Sequence, residues 1–487
     1  MRIIMLSTIG ARASWCHLKS SSNTCRRLLY SSAKMQRESA SQIPAEWLRR
    51  VVEDGAKPPK LYAWTPENLP ANGCRPGSSY NRKEAGISKD GHRRIYILGI
   101  GNIGRLYAMC FSKLTDPPPI TLVVHREELL EHWAAEPGIE LTRHGQVHKS
   151  ADFDIEWWTD VKPTRGPVVE PGAGSGISNL IVATKASDAM PQVDRLRGYL
   201  GSESTVAFAQ NGMCKLWPPL GDVYVRARFA GGRSPNWVAC VTTHGVTSQG
   251  PFKSIHAAPA NALVGLVMPG SAGKKHFAYL MEQIANAPDL DARRVSRKEL
   301  WIAQLEKLVV NATINPLTAV LRCKNGEIFA NRGDNLPGAI DKLLSEASKT
   351  LRALVLDKNS DDILLSESTC QAGSSARDFL QASHEQLSER FAFSRLRNMV
   401  LDVGVKVAPN TSSMLQDVRA GKQTEINDFN GWLVDTAKLL DRGLQLPTHE
   451  KLIALVKSQA ELTRAELCAQ LLGDGEQATQ KAPLVSA

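Results

Sequence analysis

Three polar residues recur at helical spacing in an otherwise apolar stretch. Lys307, Asn311 and Asn315 follow one another at four-residue intervals within LEKLVVNATINPLT. This spacing puts them on one helix face, with a drift of about 40° per step. A lysine and two amides among Leu, Val and Ile indicate the wall of a cleft, and a polar seam on a surface helix is the alternative. A cationic lysine in a cleft can stabilise negative charge on a substrate oxygen and donate a proton to it.

A glycine-rich turn gives a second chemical signal, because it matches GxGxxG between a predicted strand (94–98) and a predicted helix (105–114). The first glycine permits the tight turn, the second lets the backbone approach a pyrophosphate, and the third allows close helix packing. The helix N-terminus adds free N–H groups for a phosphate. A tight turn without a ligand is the alternative. The residues of this predicted dinucleotide site are Gly99, Ile100, Gly101, Asn102, Ile103 and Gly104.

The end of the second predicted strand favours NADP(H) as the dinucleotide. NAD-binding proteins usually carry Asp or Glu there, to hold the ribose 2′-hydroxyl. This chain has Val124-His125-Arg126 instead. A guanidinium can bind a 2′-phosphate bidentately, whereas a carboxylate would repel it. The alternative is an exposed surface arginine, with Glu127 and Glu128 available to pair with it.

Two further stretches contain polar residues that packing alone would not require. Asn211-Gly212 follows a predicted strand, although Asn-Gly is also a common turn dipeptide. Ser413 and Gln416 have the spacing of a capping box, so Ser413 has a cap as its alternative role. Glu425 lies twelve residues further along the same predicted helix (413–440), a spacing that does not by itself bring it to Ser413.

The predicted strands and helices that carry these residues fall into two regions. Short apolar strand patterns alternate with helical stretches over 93–275, which predicts an α/β sheet domain. Helical periodicity dominates 290–472, which predicts an all-helical domain. The strands are expected at 94–98, 120–124, 179–184, 204–208, 237–243 and 262–267, and the later helices at 276–286, 297–320, 337–357, 375–399, 413–440 and 450–472.

Taken together, these motifs resemble the ketopantoate reductase (2-dehydropantoate 2-reductase) family over about residues 93 to 440. The resemblance implies an N-terminal Rossmann-type dinucleotide-binding domain followed by an all-helical C-terminal domain, with the active site in the cleft between them. The stretches that carry it are the glycine turn, Val-His-Arg, Ala183-Thr184-Lys185-Ala186, Gln210-Asn211-Gly212, Lys307 with Asn311 and Asn315, Asn325-Gly326, and Ser413-Met414-Leu415-Gln416-Asp417 through Thr424-Glu425.

The family reduces 2-dehydropantoate to pantoate with NADPH, a step toward pantothenate and coenzyme A. Hydride arriving at a ketone carbon leaves negative charge on oxygen, and Lys307 is expected to stabilise that charge and supply the proton. Glu425 is the expected counterpart of the lysine charge. Lys185 and Asn211 match positions that contact cofactor and substrate, and no metal site is expected. The substrate-binding residues that the resemblance implies are Asn211, Asn311, Asn315, Asn325 and Ser413.

Two other functions stay open at this point. One is a reductase of another branched 2-oxo acid, which a pocket fitted to the substrate hydroxyl would distinguish. The other is a non-catalytic mitochondrial protein that keeps the fold as a binding module. That function would predict the loss of Lys307 or Glu425 and a basic body, whereas the chain keeps both residues.

The charge distribution argues against a nucleic-acid partner. The 487-residue chain has 59 Lys and Arg and 49 Asp and Glu, but the excess is concentrated at its start. Residues 1–37 contain seven basic residues and no acid, so the remainder is close to balanced. An Arg- and Ser-rich, acid-free leader is typical of a mitochondrial transit peptide, with the matrix as destination and a cytoplasmic location as the alternative.

Composition limits the remaining segments. With 43% hydrophobic and 22% charged residues the chain is globular, and no apolar run is long enough for a membrane span. Proline and glycine predict an irregular lead-in or linker at 38–92, containing one short helix near 45–52. Residues 358–376 are expected to form a loop insertion and 473–487 a disordered tail. A small 2-oxo acid is the expected partner, and a homodimer stays open.

We expect residues 1–40, fused to a fluorescent reporter, to direct it to mitochondria, because the seven basic charges are unopposed. The matched control replaces those seven residues with Gln and should stay in the cytosol. A diffuse signal from the unaltered fusion would contradict the targeting prediction.

Overall fold

The computed structural model describes residues 45–70, 91–229, 231–271, 278–365, 376–440 and 443–472. Residues 1–55 and 56–487 form two separate units. The described part of the first unit is a helix, Glu46–Glu53, with an ion pair between Arg50 and Glu46. The predicted leader and tail lie outside the described residues, as do 38–44 and 71–90 of the lead-in and 366–375 of the insertion.

The second unit is built on two sheets. The larger has nine strands within the described residues, in the order β1-β6-β3-β2-β7-β8-β9-β12-β13, and the smaller has the order β10-β11-β4-β5. In chain order the strands are β1 Tyr62–Trp64, β2 Ile95–Leu98, β3 Ile120–Val124, β4 Ile139–Arg143, β5 Gln146–Ser150, β6 Asp154–Thr159, β7 Asn179–Val182, β8 Thr205–Phe208, β9 Asn236–Thr242, β10 Gly245–Gly250, β11 Lys253–Ala258, β12 Ala262–Met268 and β13 Ala292–Arg294.

The centre of the larger sheet is parallel from β6 through β3, β2, β7 and β8 to β9. Strands β2, β7 and β8 are buried along their whole length, as expected of parallel strands covered on both faces. The chain runs outward in opposite directions from β2, toward β3 and β6 on one side and toward β7 and β8 on the other. Ligands of such sheets bind outside the carboxyl ends of the strands at this switch point.

All six predicted strands are present, within one or two residues of their predicted ends. The helices that flank the sheet and follow it are Asn102–Phe111, Glu127–Ala135, Ala186–Leu196, Leu220–Arg228, Ala278–Asn286, Arg297–Leu321, Leu336–Val355, Asp361–Leu365, Ala376–Arg390, Phe393–Lys406, Ser413–Arg419, Trp432–Leu440, Pro447–Lys457 and Arg464–Leu472, with a π-helix at Asn427–Gly431. The predicted α/β class, with a Rossmann-type sheet region and a helical C-terminal region, is confirmed. The domain boundaries at 93–275 and 290–472 stay a prediction.

Some predicted helices are divided. The single helix expected at 375–399 is divided into two helices, because Ala392 has an extended backbone conformation. The helix expected at 450–472 is also two, because Gln459 adopts the left-handed conformation with φ of 56°. The expected loop at 358–376 contains the short helix Asp361–Leu365. These breaks rest on local backbone conformation that apolar periodicity does not reveal.

The lead-in contains regular structure, so the expectation of an irregular segment at 38–92 is wrong in part. Strand β1 pairs antiparallel with β6 and extends the larger sheet by one strand. Its Trp64 ring lies 5.6 Å from the Trp157 ring on β6. The sheet also gains β13, beyond the predicted limit of 275, paired in parallel with β12. Among the described helices, none is long and apolar enough to cross a membrane.

The smaller sheet brings a hairpin, β10–β11, close to the glycine turn. Sequence patterns did not predict it, because β10 and β11 are short, polar and partly exposed. The tip residue Phe252 packs on Trp133, with ring centroids 5.0 Å apart. Asn102, the first residue of the helix after the turn, donates from Nδ2 to the Val246 carbonyl on β10 at 3.1 Å. The hairpin therefore lies against the first turn of that helix.

The glycine turn has the packing that its three glycines predict. Gly99 has φ of 95°, and a Cβ there would lie 2.9 Å from the Thr184 backbone nitrogen. A Cβ on Gly104 would lie only 2.1 Å from the Gly99 carbonyl oxygen, whereas one on Gly101 would meet nothing within 4 Å. The first and third glycines are thus required by close approach, and the second leaves open space.

We expect Gly104→Ala to lower the free energy of unfolding by about 1–3 kcal/mol or more, because backbone must move to admit the methyl group. Gly101→Ala, the matched control, should stay within about 0.5 kcal/mol of the unaltered protein. The midpoint of urea unfolding measures both. Equal midpoints for the two variants would contradict the packing described for this turn.

Candidate active site

The helix Arg297–Leu321 carries the predicted lysine and two amides along one face. It begins with a capping box, in which Ser296 Oγ accepts from the Glu299 N–H at 3.2 Å and Glu299 Oε2 accepts from the Ser296 N–H at 3.1 Å. The helix continues through Pro316. The helix packs against β9 and β12, and Lys307 bonds to the carbonyl of Thr242, the last residue of β9, which sets the lysine against the sheet.

Lys307 lies between the sheet and the helices, partly buried. Its Nζ donates to Asn211 Oδ1 at 2.9 Å and to the Thr242 carbonyl at the end of β9. Burial lowers the pKa of Lys307 to about 8, and the charge of Glu425 opposes that shift. The alternative of a solvated polar seam is wrong for this residue, because its ammonium faces protein acceptors.

The Asn211-Gly212 turn joins the sheet to the helical region. Asn211 accepts from Lys307 through Oδ1 and donates from Nδ2 to Glu425 Oε2 at 3.3 Å. Gly212 has φ of 79°, and a Cβ there would lie 3.1 Å from the Asp428 carbonyl oxygen. The missing side chain lets the π-helix approach, so this is more than a simple turn.

Glu425 reaches this place because the predicted helix 413–440 is broken. The helix Ser413–Arg419 ends at Ala420, followed by Gly421 in the left-handed conformation with φ of 61°. The chain then enters the π-helix Asn427–Gly431. Glu425 precedes the π-helix and is 8% exposed. Burial raises its pKa, and the charges of Asp428 and Asp417 add to that shift against the Asn211 hydrogen bond and the Lys185 charge.

Glu425, the expected counterpart of the Lys307 charge, acts on the lysine through the field of its carboxylate rather than through a direct contact. Within the described residues the two side chains form no ion pair, because Asn211 stands between them and hydrogen bonds to both. The carboxylate acts on the lysine only through its field, which raises the lysine pKa against the effect of burial. The three residues form one chain of contacts.

Lys185 links the sheet to the helical region at a second point. It precedes the helix Ala186–Leu196 after β7, and its Nζ donates to Asp417 Oδ2 at 2.9 Å and to the Gln423 carbonyl. Both partners lie in the segment that leads to Glu425. Its predicted contact with a cofactor stays a prediction, and its contacts in the structure are with Asp417 and Gln423.

Ser413 is not the cap of its helix. Ser412 takes that role, since its Oγ accepts from the Leu415 N–H at 3.1 Å and lies 2.7 Å from Thr318 Oγ1. Ser413 Oγ accepts from Asn315 Nδ2 at 3.5 Å, although 98 residues separate them in the chain. The structure thereby brings together two of the predicted substrate-binding residues.

Asn311 and Asn325 have spare hydrogen-bonding capacity. Asn311 is partly buried, and its side chain has no hydrogen-bond partner among the described residues. Asn325 is buried, its backbone N–H donates to the Asn410 carbonyl at 3.1 Å, and its Oδ1 has no partner there. Buried polar atoms are usually hydrogen bonded, so the unpartnered Asn325 Oδ1 suits a polar ligand. Within the described residues, neither amide side chain hydrogen bonds to the Lys307 ammonium.

The glycine turn fits a dinucleotide. The helix Asn102–Phe111 starts at Gly101 without a side-chain cap, so its first N–H groups stay available at the open space beside Gly101. Arg126 follows β3 with its side chain 59% exposed, and its Nε is 3.8 Å from Glu128 Oε2. A guanidinium with one distant exposed partner can accommodate a 2′-phosphate.

Several participants were not predicted. The Thr242 carbonyl is a backbone group, which no residue pattern reveals. Gln304, three residues before Lys307 on the same helix face, accepts from Trp217 Nε1 at 2.6 Å and donates to the Gly212 carbonyl at 3.5 Å. Extending the polar face toward the N-terminus of the helix would have pointed to it. Asp417, the partner of Lys185, belongs to a motif that carries the family resemblance, but the sequence indicated no role for it.

We expect Ser412→Ala to lower the free energy of unfolding by about 0.5–2 kcal/mol, the usual contribution of a helix N-cap. Ser413→Ala is the matched control and should leave it unchanged within about 0.5 kcal/mol. Urea unfolding of both variants measures the difference. A larger loss for Ser413→Ala would mean that the cap had been assigned to the wrong serine.

Known proteins resemble this chain over most of its length. A family model described as "Ketopantoate reductase PanE/ApbA" matches residues 95–268, and its C-terminal counterpart matches 299–460. A ketoisovalerate reductase of Gibberella fujikuroi is 42% identical over 453 residues, covering 89% of this chain and 100% of that protein. One of Beauveria bassiana is 40% identical over 454 residues, covering 88% and 98%.

A more distant relative is also similar to this chain, and one solved structure shares its fold. A Schizosaccharomyces pombe protein described as a probable 2-dehydropantoate 2-reductase is 27% identical over 385 residues, covering 76% of this chain and 97% of its own. The structure of a PanE/ApbA family ketopantoate reductase from Ralstonia eutropha covers 75% of this chain and 98% of its own, with a TM-score of 0.53 and 18% identity. The chain thus belongs to the ketopantoate reductase family of oxidoreductases.

Proposed function

We propose that this protein reduces a branched 2-oxo acid to the corresponding 2-hydroxy acid with NADPH, and that Lys307 donates the proton. The observation that carries the proposal is the Lys307 ammonium, held 2.9 Å from Asn211 Oδ1 and bonded to the Thr242 carbonyl at the carboxyl edge of the sheet. Dinucleotide-binding sheets present their cofactor at this edge.

The chemistry needs one hydride and one proton. NADPH, when bound, supplies the hydride to the ketone carbon. Lys307 stabilises the negative charge that develops on the ketone oxygen and transfers a proton from Nζ to it, which gives the hydroxyl of the product. The neutral amine then takes a proton from solvent. With its pKa near 8 the lysine is charged at neutral pH, yet it gives up its proton more readily than an ordinary lysine.

Asn211 and Glu425 prepare the lysine for this role. The amide oxygen of Asn211 fixes the position of Nζ, and its Nδ2 fixes the carboxylate of Glu425. The negative charge keeps the lysine protonated despite its burial. The Asn211 oxygen and the Thr242 carbonyl each orient one N–H of the ammonium, and the third N–H stays available for a substrate oxygen.

Neutral polar groups suit the rest of the substrate. The pair Asn315–Ser413, together with the spare capacity of Asn311 and Asn325, supplies donors and acceptors for a carboxylate and for a hydroxyl. These groups belong to the helical region, whereas the glycine turn belongs to the sheet region. The substrate would accordingly be held by the helices and the cofactor by the sheet.

The relatives support 2-ketoisovalerate as the first substrate to test. The two proteins that are 40–42% identical over 88–89% of this chain are both named ketoisovalerate reductases. The second candidate is 2-dehydropantoate, which carries an additional hydroxyl. The unpartnered, buried Asn325 Oδ1 favours it, because a site with a buried acceptor gains from a substrate donor.

The test is NADPH oxidation by the purified full-length chain with 2-ketoisovalerate, 2-dehydropantoate and straight-chain 2-oxo acids, compared by kcat/KM. We expect the highest value with 2-ketoisovalerate. A higher value with 2-dehydropantoate would assign the family's own substrate. No turnover with any 2-oxo acid, despite NADPH binding, would contradict the proposal and favour a binding protein that keeps the fold.

We expect Lys307→Met to reduce kcat by about 10²–10⁴-fold, the usual contribution of general acid catalysis. The fold should persist, because burial already disfavours the charged lysine. Lys298→Met, on the same helix, is the matched control and should keep full activity. Steady-state kinetics at pH 7 measure both, and near-normal turnover by a folded Lys307→Met would exclude it as the proton donor.

The same lysine predicts the pH dependence. At saturating NADPH, kcat/KM should fall as the pH rises through about 8, where Lys307 loses its proton. Glu425→Gln should move this fall to lower pH, since removing the carboxylate charge lowers the lysine pKa further. Glu425→Asp, which keeps the charge, should move it less. A profile that is flat to about pH 10 would contradict the assignment, since an unperturbed lysine titrates only there.

We expect Arg126→Ala to weaken NADPH binding by about 1–3 kcal/mol, the value of a lost charge-assisted hydrogen bond, and to leave NADH binding almost unchanged. Arg126→Lys should recover part of the loss. Dissociation constants from fluorescence titration measure the effect. Equal losses for both dinucleotides would show that Arg126 does not contact a 2′-phosphate.

A further inference from the structure

Arg105 is a buried arginine directly after the glycine turn. Its side chain points into the protein and is 8% exposed as a residue. Its Nε donates to the Ile100 carbonyl at 3.0 Å, within the turn itself. Its Nη1 donates to the Gly250 carbonyl at 2.9 Å, the Lys253 carbonyl at 2.7 Å and Ser254 Oγ at 3.0 Å, all on the β10–β11 hairpin.

All four acceptors are neutral, which sets Arg105 apart from the other well-buried arginines. Arg228 and Arg464, whose side chains are 6% and 13% exposed, form ion pairs with Asp194 and Asp334. Among the described residues no carboxylate lies within ion-pair distance of Arg105. Burial lowers its pKa to about 10, and no nearby charge offsets that effect. A buried charge without a counter-charge is costly, so its retention requires a reason.

The contacts of Arg105 also determine the shape of the turn. Ser254 Oγ, which accepts from Arg105, donates to Asn102 Oδ1 at 3.3 Å. The guanidinium thus connects Ile100, the hairpin and Asn102 in one network around the start of the helix. The Ile100 carbonyl is turned inward by its bond to Nε, while the space beside Gly101 stays open.

We propose that Arg105 is a positioning residue for the dinucleotide, whose pyrophosphate provides the negative charge that this buried guanidinium lacks within the protein. The inference rests on the proposed binding of NADPH at the glycine turn. Arg105 acts through the turn and through its charge, without a contact to the reacting atoms. The phosphate binds more tightly because a fixed positive charge in a partly dry site attracts it strongly.

Three variants separate the charge of Arg105 from its hydrogen bonds. Arg105→Met and Arg105→Gln remove the charge, and Gln keeps some hydrogen bonding. Arg105→Lys keeps the charge, and an ammonium with three donors can serve the three oxygens that Nη1 contacts. Arg297→Met is the matched control, because Arg297 is similarly buried and bonds a carbonyl at Val267 but pairs with Asp362.

The readouts are dissociation constants for NADPH and for adenosine 2′-monophosphate by calorimetry, with circular dichroism and thermal unfolding as checks of folding. We expect both neutral variants to bind NADPH about tenfold or more weakly. Arg105→Lys should stay within about threefold, and Arg297→Met should be unchanged. Adenosine 2′-monophosphate has no pyrophosphate, so its affinity should be the same in all of these proteins.

The outcomes distinguish the inference from the function on which it rests. If the unaltered protein binds neither NADPH nor NADH, the proposed function fails and the inference with it. A second result would overturn only the inference. In it the unaltered protein binds NADPH, and folded Arg105→Lys, Arg105→Gln and Arg105→Met all have the same NADPH affinity as one another, whether normal or weakened. A parallel loss of adenosine 2′-monophosphate would also overturn it, because the charge would then act on the 2′-phosphate. If both neutral variants fail to fold, a folded Arg105→Lys with tenfold weaker NADPH binding overturns it, and near-normal binding supports it.

Discussion

The candidate active site depends on one constraint, which is that a lysine must stay charged where protein has displaced most of the water. Lys307 meets it with neutral acceptors, the Asn211 amide oxygen and the Thr242 carbonyl, and with a carboxylate that acts at a distance. A direct ion pair with Glu425 would raise the lysine pKa and hold its proton firmly. Because Asn211 stands between the two charges, the lysine keeps a pKa near 8 and an N–H for another acceptor.

The break after the helix Ser413–Arg419 and the π-helix that follows it bring Glu425 to Asn211. A continuous helix from Ser413 would carry this carboxylate along its own axis, whereas Gly421 ends the helix and the chain re-enters helical structure as a π-helix. Asn430, within the π-helix, anchors it to two neighbouring helices. Its Nδ2 donates to the Ala312 carbonyl at 2.9 Å and lies 2.9 Å from His449 Nδ1. Irregular helix geometry often marks functional positions, and here it places Glu425 beside Asn211.

Buried cations without carboxylate partners occur on both sides of the site. On the helical side the ammonium of Lys307 contacts only neutral groups, and on the sheet side the guanidinium of Arg105 does the same. Arginines elsewhere with similar burial are neutralised by aspartates. Under the proposed function, the two exceptions lie where a substrate oxygen and a cofactor phosphate would bring negative charge. Stability given up in the free protein would then be recovered as affinity for the ligands.

Residue types and their spacing were enough to predict the fold class, the six central strands, the glycine turn and the face shared by Lys307, Asn311 and Asn315. These features are local, because they follow from side-chain periodicity, from glycines that close packing requires, and from the four-residue spacing of a helix. The lysine helix was predicted to within one residue of its observed end. The chemical capacity of these residues therefore follows from their types and spacing alone.

The contacts between these residues, in contrast, follow from long-range packing. The Thr242 carbonyl is a backbone group, the Asn315–Ser413 contact joins residues 98 apart, and the Asn211–Glu425 contact joins residues 214 apart. The role of Ser412 as cap and the burial of Arg105 among neutral oxygens depend on neighbours that arrive from other elements. Periodicity reports which face of a helix is polar, but the choice of partner, and with it the lysine pKa, is set by long-range packing that no local pattern contains.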